Sequence, residues 1–231
     1  MYTLRVGAKS TIFVVDDHPV VRDGLREMFS RQPDLRVVGE ARARQEALQA
    51  CDKLAPDVAV VDLSLGQETG FTLVSALRQR HPTMAILVLS MHDERIFAQR
   101  ALQAGANGYV GKHEDGEVIL QAVRRVLAGK TYVSEVVSEM LLSAASAPVG
   151  VAQARSGLAR LTNRELEILR LIGNGVKTAD IATRLGIGAK TVETHRARIK
   201  EKLGVESANE VLILAVNWLR DGFLDAPDAG A

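Results

Sequence analysis

Up to about residue 130, short apolar runs alternate with longer stretches in which apolar residues recur every three or four positions. The runs are TIFVV (11–15), LRVVGEA (35–41), VAVVDL (58–63), AILVLS (85–90) and GYVGK (108–112). Between them lie DGLREMFSRQ, ARQEALQACDKL, GFTLVSALRQRH, ERIFAQRALQAG and EVILQAVRRVLAG, whose spacing gathers apolar side chains on one helical face. Five strands alternating with five helices predict right-handed crossovers and an α/β, doubly wound, five-stranded parallel sheet. Uninterrupted Val/Ile/Leu runs suit strands covered on both faces.

The pattern then changes. Residues 131–142 predict a short helix, and 143–157, SAASAPVGVAQARSG, have the small, polar, proline-containing composition of a flexible linker. Residues 131–157 therefore join a first domain over 8–130 to a second over 158–223, whose periodicity is entirely helical. Its first helix, LTNRELEILRLI, opens with Thr162 and Glu165 in capping-box spacing. TADIATRL follows Gly175, with Thr178 as its cap, and stops at Gly186. A third helix covers KTVETHRARIKEKL. A fourth starts at SANE, where Ser207 and Glu210 form another capping box, and continues as VLILAVNWL. Helix, glycine turn, helix is the helix-turn-helix plan.

Composition narrows the classes. The 231 residues carry a net charge of +1, so any attraction to nucleic acid must be local. The single cysteine, Cys51, excludes an internal disulfide and fits a reducing, cytoplasmic setting; its amphipathic stretch predicts a half-buried helical thiol. MYTLRVGAKS carries no signal-peptide pattern, and no segment approaches the ~18 consecutive apolar residues of a membrane span.

The chemistry gathers at the strand ends, because ligands of an open parallel sheet bind at the carboxyl edge near the switch point. Strand one ends at Asp16 and Asp17, strand three at Asp62, strand four at Ser90 and strand five at Lys112. Three crowded carboxylates call for a hard dication such as Mg²⁺. Asp62 is placed to act as a nucleophile toward a phosphoryl group, with Ser90 and Lys112 binding the phosphoryl oxygens. A phosphatase working through an aspartyl phosphate would want a second acid two residues on, where Ser64 stands, so no enzyme is expected.

DDHPVVRDGL, VVDLSL, LSMHDE and AGANGYVGK together resemble the receiver domain of NarL/FixJ-type two-component response regulators, over about residues 10 to 130. The resemblance implies a flavodoxin-like fold in which Asp62 takes phosphate from a sensor histidine kinase. It also implies that Asp16, Asp17, Asp62 and the Ser64 backbone carbonyl hold Mg²⁺, and that Tyr109 is a switch following Ser90. On the residues alone, Tyr109 reads equally as a partly exposed strand tyrosine. Met91, the proline-free LGQETG loop and His113 depart from the usual receiver pattern.

In the third helix of the second domain, Val192, Ile199 and Leu203 share a narrow inward arc, with Thr194, Ala197, Arg198 and Glu201 opposite. Residues 190–202 hold five Lys/Arg against two Glu. Residues 160–219 resemble the LuxR-type helix-turn-helix domain, which implies that this helix enters the major groove of double-stranded DNA. Its expected contacts are Lys190, Thr191, Glu193, Thr194, Arg196, Ala197, Arg198 and Lys200. Glu193 and Ala197 stand where lysine is common in that family, so the resemblance carries over no base preference; Glu193 is expected either to accept from cytosine or to orient a neighbouring arginine. VLILAVNWL is apolar nearly all round and must bury two faces. Leu212, Ala215, Val216 and Leu219 are expected to face the core. That leaves Val211, Leu214 and Trp218 for another partner; the resemblance implies that this surface forms a homodimer on phosphorylation, and the alternative is the chain's own linker or receiver.

Overall fold

The computed structural model describes residues 9–65, 68–146 and 160–221, which fall into two compact units divided between Leu142 and Ser143. The strands of the first unit are β1 (Ser10–Val15), β2 (Leu35–Ala41), β3 (Val58–Val61), β4 (Ser64–Leu65), β5 (Glu68–Thr69), β6 (Ala85–Ser90) and β7 (Gly108–Gly111). Its helices are α1 (Pro19–Ser30), α2 (Arg44–Leu54), α3 (Gly70–Arg80), α4 (Glu94–Gln103) and α5 (Gly116–Leu127), and α6 (Glu135–Ser146) starts in this unit and runs past the division. A five-stranded parallel sheet runs in the order β2-β1-β3-β6-β7. The chain order reverses between β1 and β3, and ligand sites of such sheets form at that point.

Every residue of β3 and β6 is buried, as expected for strands covered on both faces. Leu25 and Phe29 of α1 and Ile119, Leu120 and Val123 of α5 pack on one face, against Ile12, Val14, Val60, Leu87 and Leu89. Apolar residues of α2, α3 and α4, including Cys51, Leu73, Leu77 and Phe97, are buried as well. Cys51 is fully buried rather than half-buried.

Three local differences from the sequence pattern have physical causes. β3 stops at Val61, leaving Asp62 just beyond the ladder. The following loop folds into the antiparallel hairpin β4–β5; two-residue strands are too short for periodicity to reveal, and without proline the loop keeps every N–H available for pairing. Helix α6 runs on to Ser146 because Ser143, Ala144, Ala145 and Ser146 tolerate helix well. The expected linker beyond Ser146 lies outside the described residues.

The second unit contains α7 (Asn163–Gly173), α8 (Thr178–Leu185), α9 (Ala189–Leu203) and α10 (Ala208–Asp221). The α7 capping box is complete: the Thr162 N–H donates to Glu165 Oε2 at 2.7 Å, and the Glu165 N–H to Thr162 Oγ1 at 3.3 Å. Gly186 (φ 63°) and Gly204 (φ 70°) end α8 and α9 in the left-handed conformation that glycine adopts without strain. The cap of α8 is Lys177, and Thr178 is its first helical residue, so the expected Thr178 cap is corrected.

The phase of α10 is also corrected. Val211, Leu214 and Trp218, expected to face outward, are buried with Ala215 in the domain core. The exposed stripe is Leu212 (37%), Ile213 (51%) and Val216 (43%). An all-apolar helix does not fix its own rotation; here Gly173 of α7 does so. A Cβ on Gly173 would lie 2.8 Å from the Ala215 carbonyl oxygen and 2.7 Å from Leu219 Cδ1, so the two helices meet where side chains are smallest. That turns Trp218, the largest group, inward, where its burial contributes most. No helix among the described residues is long and apolar enough to cross a membrane.

Candidate functional site

Backbone pairing carries the strand-end residues to one rim. The Asp16 N–H donates to Ala41 O at 3.1 Å, the Asp62 N–H to Val15 O at 2.8 Å and the Lys112 N–H to Ser90 O at 2.8 Å. Lys112 Nζ then lies 2.5 Å from Asp16 Oδ2 and 2.6 Å from Asp62 Oδ2. Asp16, Asp17, His18 and Asp62 each bring one potential ligand atom, all within 4.8 Å of one another. The expected convergence of Asp16, Asp17, Asp62, Ser90 and Lys112 is present.

Electrostatics sharpen the picture. Burial pushes the Asp62 carboxyl above the ordinary carboxylate range, against the pull of its hydrogen bond to Lys112. Burial also works against the Lys112 ammonium, but its bonds to Asp16 and Asp62 outweigh it and hold that pKa above the usual lysine value. Asp62 Oδ1 is buried without a hydrogen-bond partner. A buried carboxylate oxygen without a well-formed hydrogen bond, beside two further acids, fits a divalent cation or an incoming electrophile. The acidic cluster can therefore hold a metal.

His18 was not among the sequence candidates. It caps α1 ahead of Pro19, so neither aspartate is the cap. Its N–H donates to Asp16 Oδ1 at 2.8 Å, and its Nδ1 lies 2.8 Å from Asp17 Oδ1. Ser90 is fully buried, and its Oγ accepts from the His92 N–H at 3.2 Å. Tyr109 is buried rather than partly exposed, and its hydroxyl donates to the His92 carbonyl at 2.8 Å. Burial drives that phenol well above the ordinary tyrosine pKa. His92 also stacks near Phe97, with centroids 4.8 Å apart, and its Nε2 lies 3.1 Å from Ser64 Oγ. It thus ties the loop after β3 to the loop after β6. Met91 is exposed and lines a cavity of about 330 Å³ between α1 and α5, with Val21, Leu25, Met28 and Ile119.

On α9, Val192 and Ile199 are buried while Lys190, Thr191, Glu193, Thr194, Ala197 and Arg198 are exposed, as the projection predicts. Arg196 and Lys200 are half-buried. Arg196 Nη1 donates to Thr178 Oγ1 at 2.8 Å, and that hydroxyl donates to Glu193 Oε1 at 2.9 Å. Lys200 Nζ donates to the Glu206 carbonyl at 3.0 Å. Behind the helix, Lys202 Nζ reaches the buried Glu165 carboxylate at 2.6 Å, anchoring α9 to α7.

Comparison with known proteins agrees with both halves. Residues 12–124 match the response regulator receiver domain, and residues 159–215 the bacterial regulatory proteins of the luxR family. The chain is 35% identical over 215 residues to the response regulator GacA of Pseudomonas aeruginosa, covering 93% of this chain and 98% of that one. Among solved structures it resembles RcsB from Salmonella enterica serovar Typhimurium bound to promoter P1flhDC in the presence of phosphomimetic BeF3−. That match has 26% identity and a TM-score of 0.54, over 90% of this chain and 99% of the other. A structure of two RcsB dimers bound to two parallel DNAs matches with 26% identity and a TM-score of 0.54, over 92% and 98% of the two chains. A parallel sheet with an acid-and-lysine rim, followed by a helix-turn-helix unit, thus has relatives over about nine-tenths of its length, and the chain belongs to the NarL/FixJ family of two-component response regulators.

Proposed function

We propose that Asp62 accepts a phosphoryl group from a sensor histidine kinase and that this controls sequence-specific DNA binding by α9. The observation that carries the proposal is the position of Lys112 Nζ, within 2.6 Å of Asp62 Oδ2, beside the buried and unpartnered Asp62 Oδ1. The Asp62 carboxylate attacks phosphorus, the P–N bond of the phosphohistidine breaks as the P–O bond forms, and imidazole leaves. Lys112 balances the charge that gathers on the phosphoryl oxygens. Asp16, Asp17, Asp62 and the Ser64 carbonyl would hold Mg²⁺, which neutralises the crowded acids and the incoming phosphate.

Ser90 donates its hydroxyl to the phosphoryl oxygen, and Tyr109 reports that movement through the shared contact at His92. Phosphorylation biases an existing receiver equilibrium rather than creating a new state. A bias of about 1.4 kcal/mol changes the active ratio only tenfold, so dimerisation sharpens the response. The exposed stripe Leu212, Ile213 and Val216 is the surface α10 offers to a second copy. Lys190, Thr191, Glu193, Thr194, Arg196, Ala197, Arg198 and Lys200 are the proposed DNA contacts, and the setting is the cytoplasm.

The test treats the full chain with acetyl phosphate and Mg²⁺. It then measures the phosphoryl increment by intact mass and promoter binding by titration, with Asp62→Asn alongside. Wild type gains one phosphoryl group and binds DNA more tightly, while Asp62→Asn does neither. Donor-dependent DNA binding by Asp62→Asn would defeat the proposal.

A further inference from the structure

We infer that Glu193 reads a base: Thr178 holds its carboxylate so that it accepts from a cytosine amino group in the major groove. This rests on the reading of α9 as the DNA-contacting helix. A carboxylate entering a groove walled by phosphates is repelled unless it is both compensated and aimed. The structure provides both. Thr178 Oγ1 donates to Glu193 Oε1 at 2.9 Å while accepting from Arg196 Nη1 at 2.8 Å. The guanidinium lies 3.9 Å from the same oxygen, too far for a direct hydrogen bond. The threonine therefore relays the cation to the acid, and Glu193 does not clamp Arg196 directly. Oε1 is occupied, whereas Oε2 has no hydrogen-bond partner among the described residues.

The surroundings favour reading by this one acceptor. The Thr194 hydroxyl donates back to the Lys190 carbonyl at 3.0 Å, so its proton is not available to a base. Ala197 offers only a methyl group. Ala197 lies beside Glu193 around the helix and permits a close approach, with Lys190 and Thr194 farther round the same exposed face. Among base edges, cytosine presents an amino donor without an adjacent acceptor. Adenine sets its amino group beside N7, which repels a carboxylate, and guanine and thymine present acceptors.

The test equilibrates the full chain, treated with a phosphoryl donor, with a pool of randomised duplex DNA and sequences what is bound. Wild type is run beside Glu193→Gln, Glu193→Lys and Thr178→Val. Glu193 is 59% exposed, so its substitutions leave the fold intact. Wild type enriches cytosine at one symmetry-related position per half-site, by about fivefold or more. Glu193→Gln moves that position to adenine, since a carboxamide both donates to N7 and accepts from N6. Thr178→Val loses most of the preference in that one column while the other columns keep theirs, which a merely structural role would not do. The inference is overturned if Glu193→Gln and Glu193→Lys retain the wild-type preference at every position. It is equally overturned if Glu193→Lys only tightens binding to all sequences alike. Selection of no sequence by wild type would instead remove the DNA-binding reading itself.

Discussion

Replacing Gly70 with alanine asks whether the phosphoacceptor is positioned by main-chain packing. Gly70 opens α3, and its N–H donates to the Leu63 carbonyl at 2.8 Å. A Cβ there would lie 2.2 Å from the Asp62 carbonyl oxygen, 2.6 Å from Leu63 Cα and 3.0 Å from the Asp62 carbonyl carbon. All three are backbone atoms, so no side chain can swing aside. Restoring ordinary contact requires the end of β3 and the start of α3 to part by roughly 1 Å, and overpacking of this kind costs about 1–3 kcal/mol. For a unit of this size that corresponds to a fall in melting temperature on the order of 5–10 °C. A displacement of roughly 1 Å at a reacting group costs on the order of a hundredfold in rate.

Two measurements check this: thermal unfolding, and the rate of phosphoryl incorporation from a small donor at a temperature where both proteins are folded. Gly24 supplies the contrast. It lies within α1, and a Cβ there would meet nothing within 4 Å. Gly24→Ala should therefore raise stability by about 0.5–1 kcal/mol, because the glycine costs unfolded-chain entropy and supports no close contact. Gly70→Ala with wild-type melting and wild-type labelling would refute the reasoning. Lower melting with unchanged labelling would show that the loop yields while Asp62 stays in place.

The second unit makes its own predictions, read through Trp218, the chain's single tryptophan. Burial pushes the Glu165 carboxyl up, but bonds from Lys202 and the Thr162 N–H and hydroxyl outweigh it and hold its pKa below the ordinary glutamate value. A carboxylate depressed in the fold contributes stability that is complete above its unfolded pKa, near ~4.3, and is lost as pH falls through the folded value. Acid unfolding of this unit should therefore steepen below about pH 4, and Glu165→Gln should flatten that limb in a fluorescence titration. At neutral pH, Lys202→Met should cost about 2–3 kcal/mol by leaving the buried carboxylate without its cation. For α10, Trp218→Ala removes the fluorescent reporter and should cost about 3–5 kcal/mol in denaturant unfolding followed by far-ultraviolet circular dichroism. Ile213→Glu should leave stability within about 0.5 kcal/mol yet weaken self-association of the phosphorylated chain in sedimentation. The reverse pattern would restore the original assignment of the two faces.

The strands and the acid-lysine rim were legible because both follow from one-dimensional pattern. Apolar runs mark β1, β2, β3, β6 and β7. A doubly wound topology then sends the residue after each run to a common edge, so Asp16, Asp62, Ser90 and Lys112 meet without any knowledge of side-chain geometry. The same argument failed for α10. Periodicity ranks the faces of a helix by contrast, and VLILAVNWL has almost none. The deciding residue, Gly173, belongs to another helix, where its missing side chain lets Ala215 approach.

His18, the Ser64–His92 bond, the Glu165–Lys202 pair and the Thr178–Arg196–Glu193 relay share that character. Apart from His18, each depends on which residue of one segment opposes which residue of another. His18 turns back on its own neighbours, whereas the other pairs are separated by 28, 37, 18 and 15 positions in the chain. Patterning says that Glu193 faces outward but does not say that Thr178 stands beside it. A substitution that preserves every apolar run and every strand-end acid, such as Thr178→Val, should leave the fold and the labelling of Asp62 untouched while removing the hydroxyl that donates to Glu193. The family is written in the periodic positions. The polar contacts that cross between elements, such as the Arg196–Thr178–Glu193 relay, are the part that one-dimensional pattern does not carry.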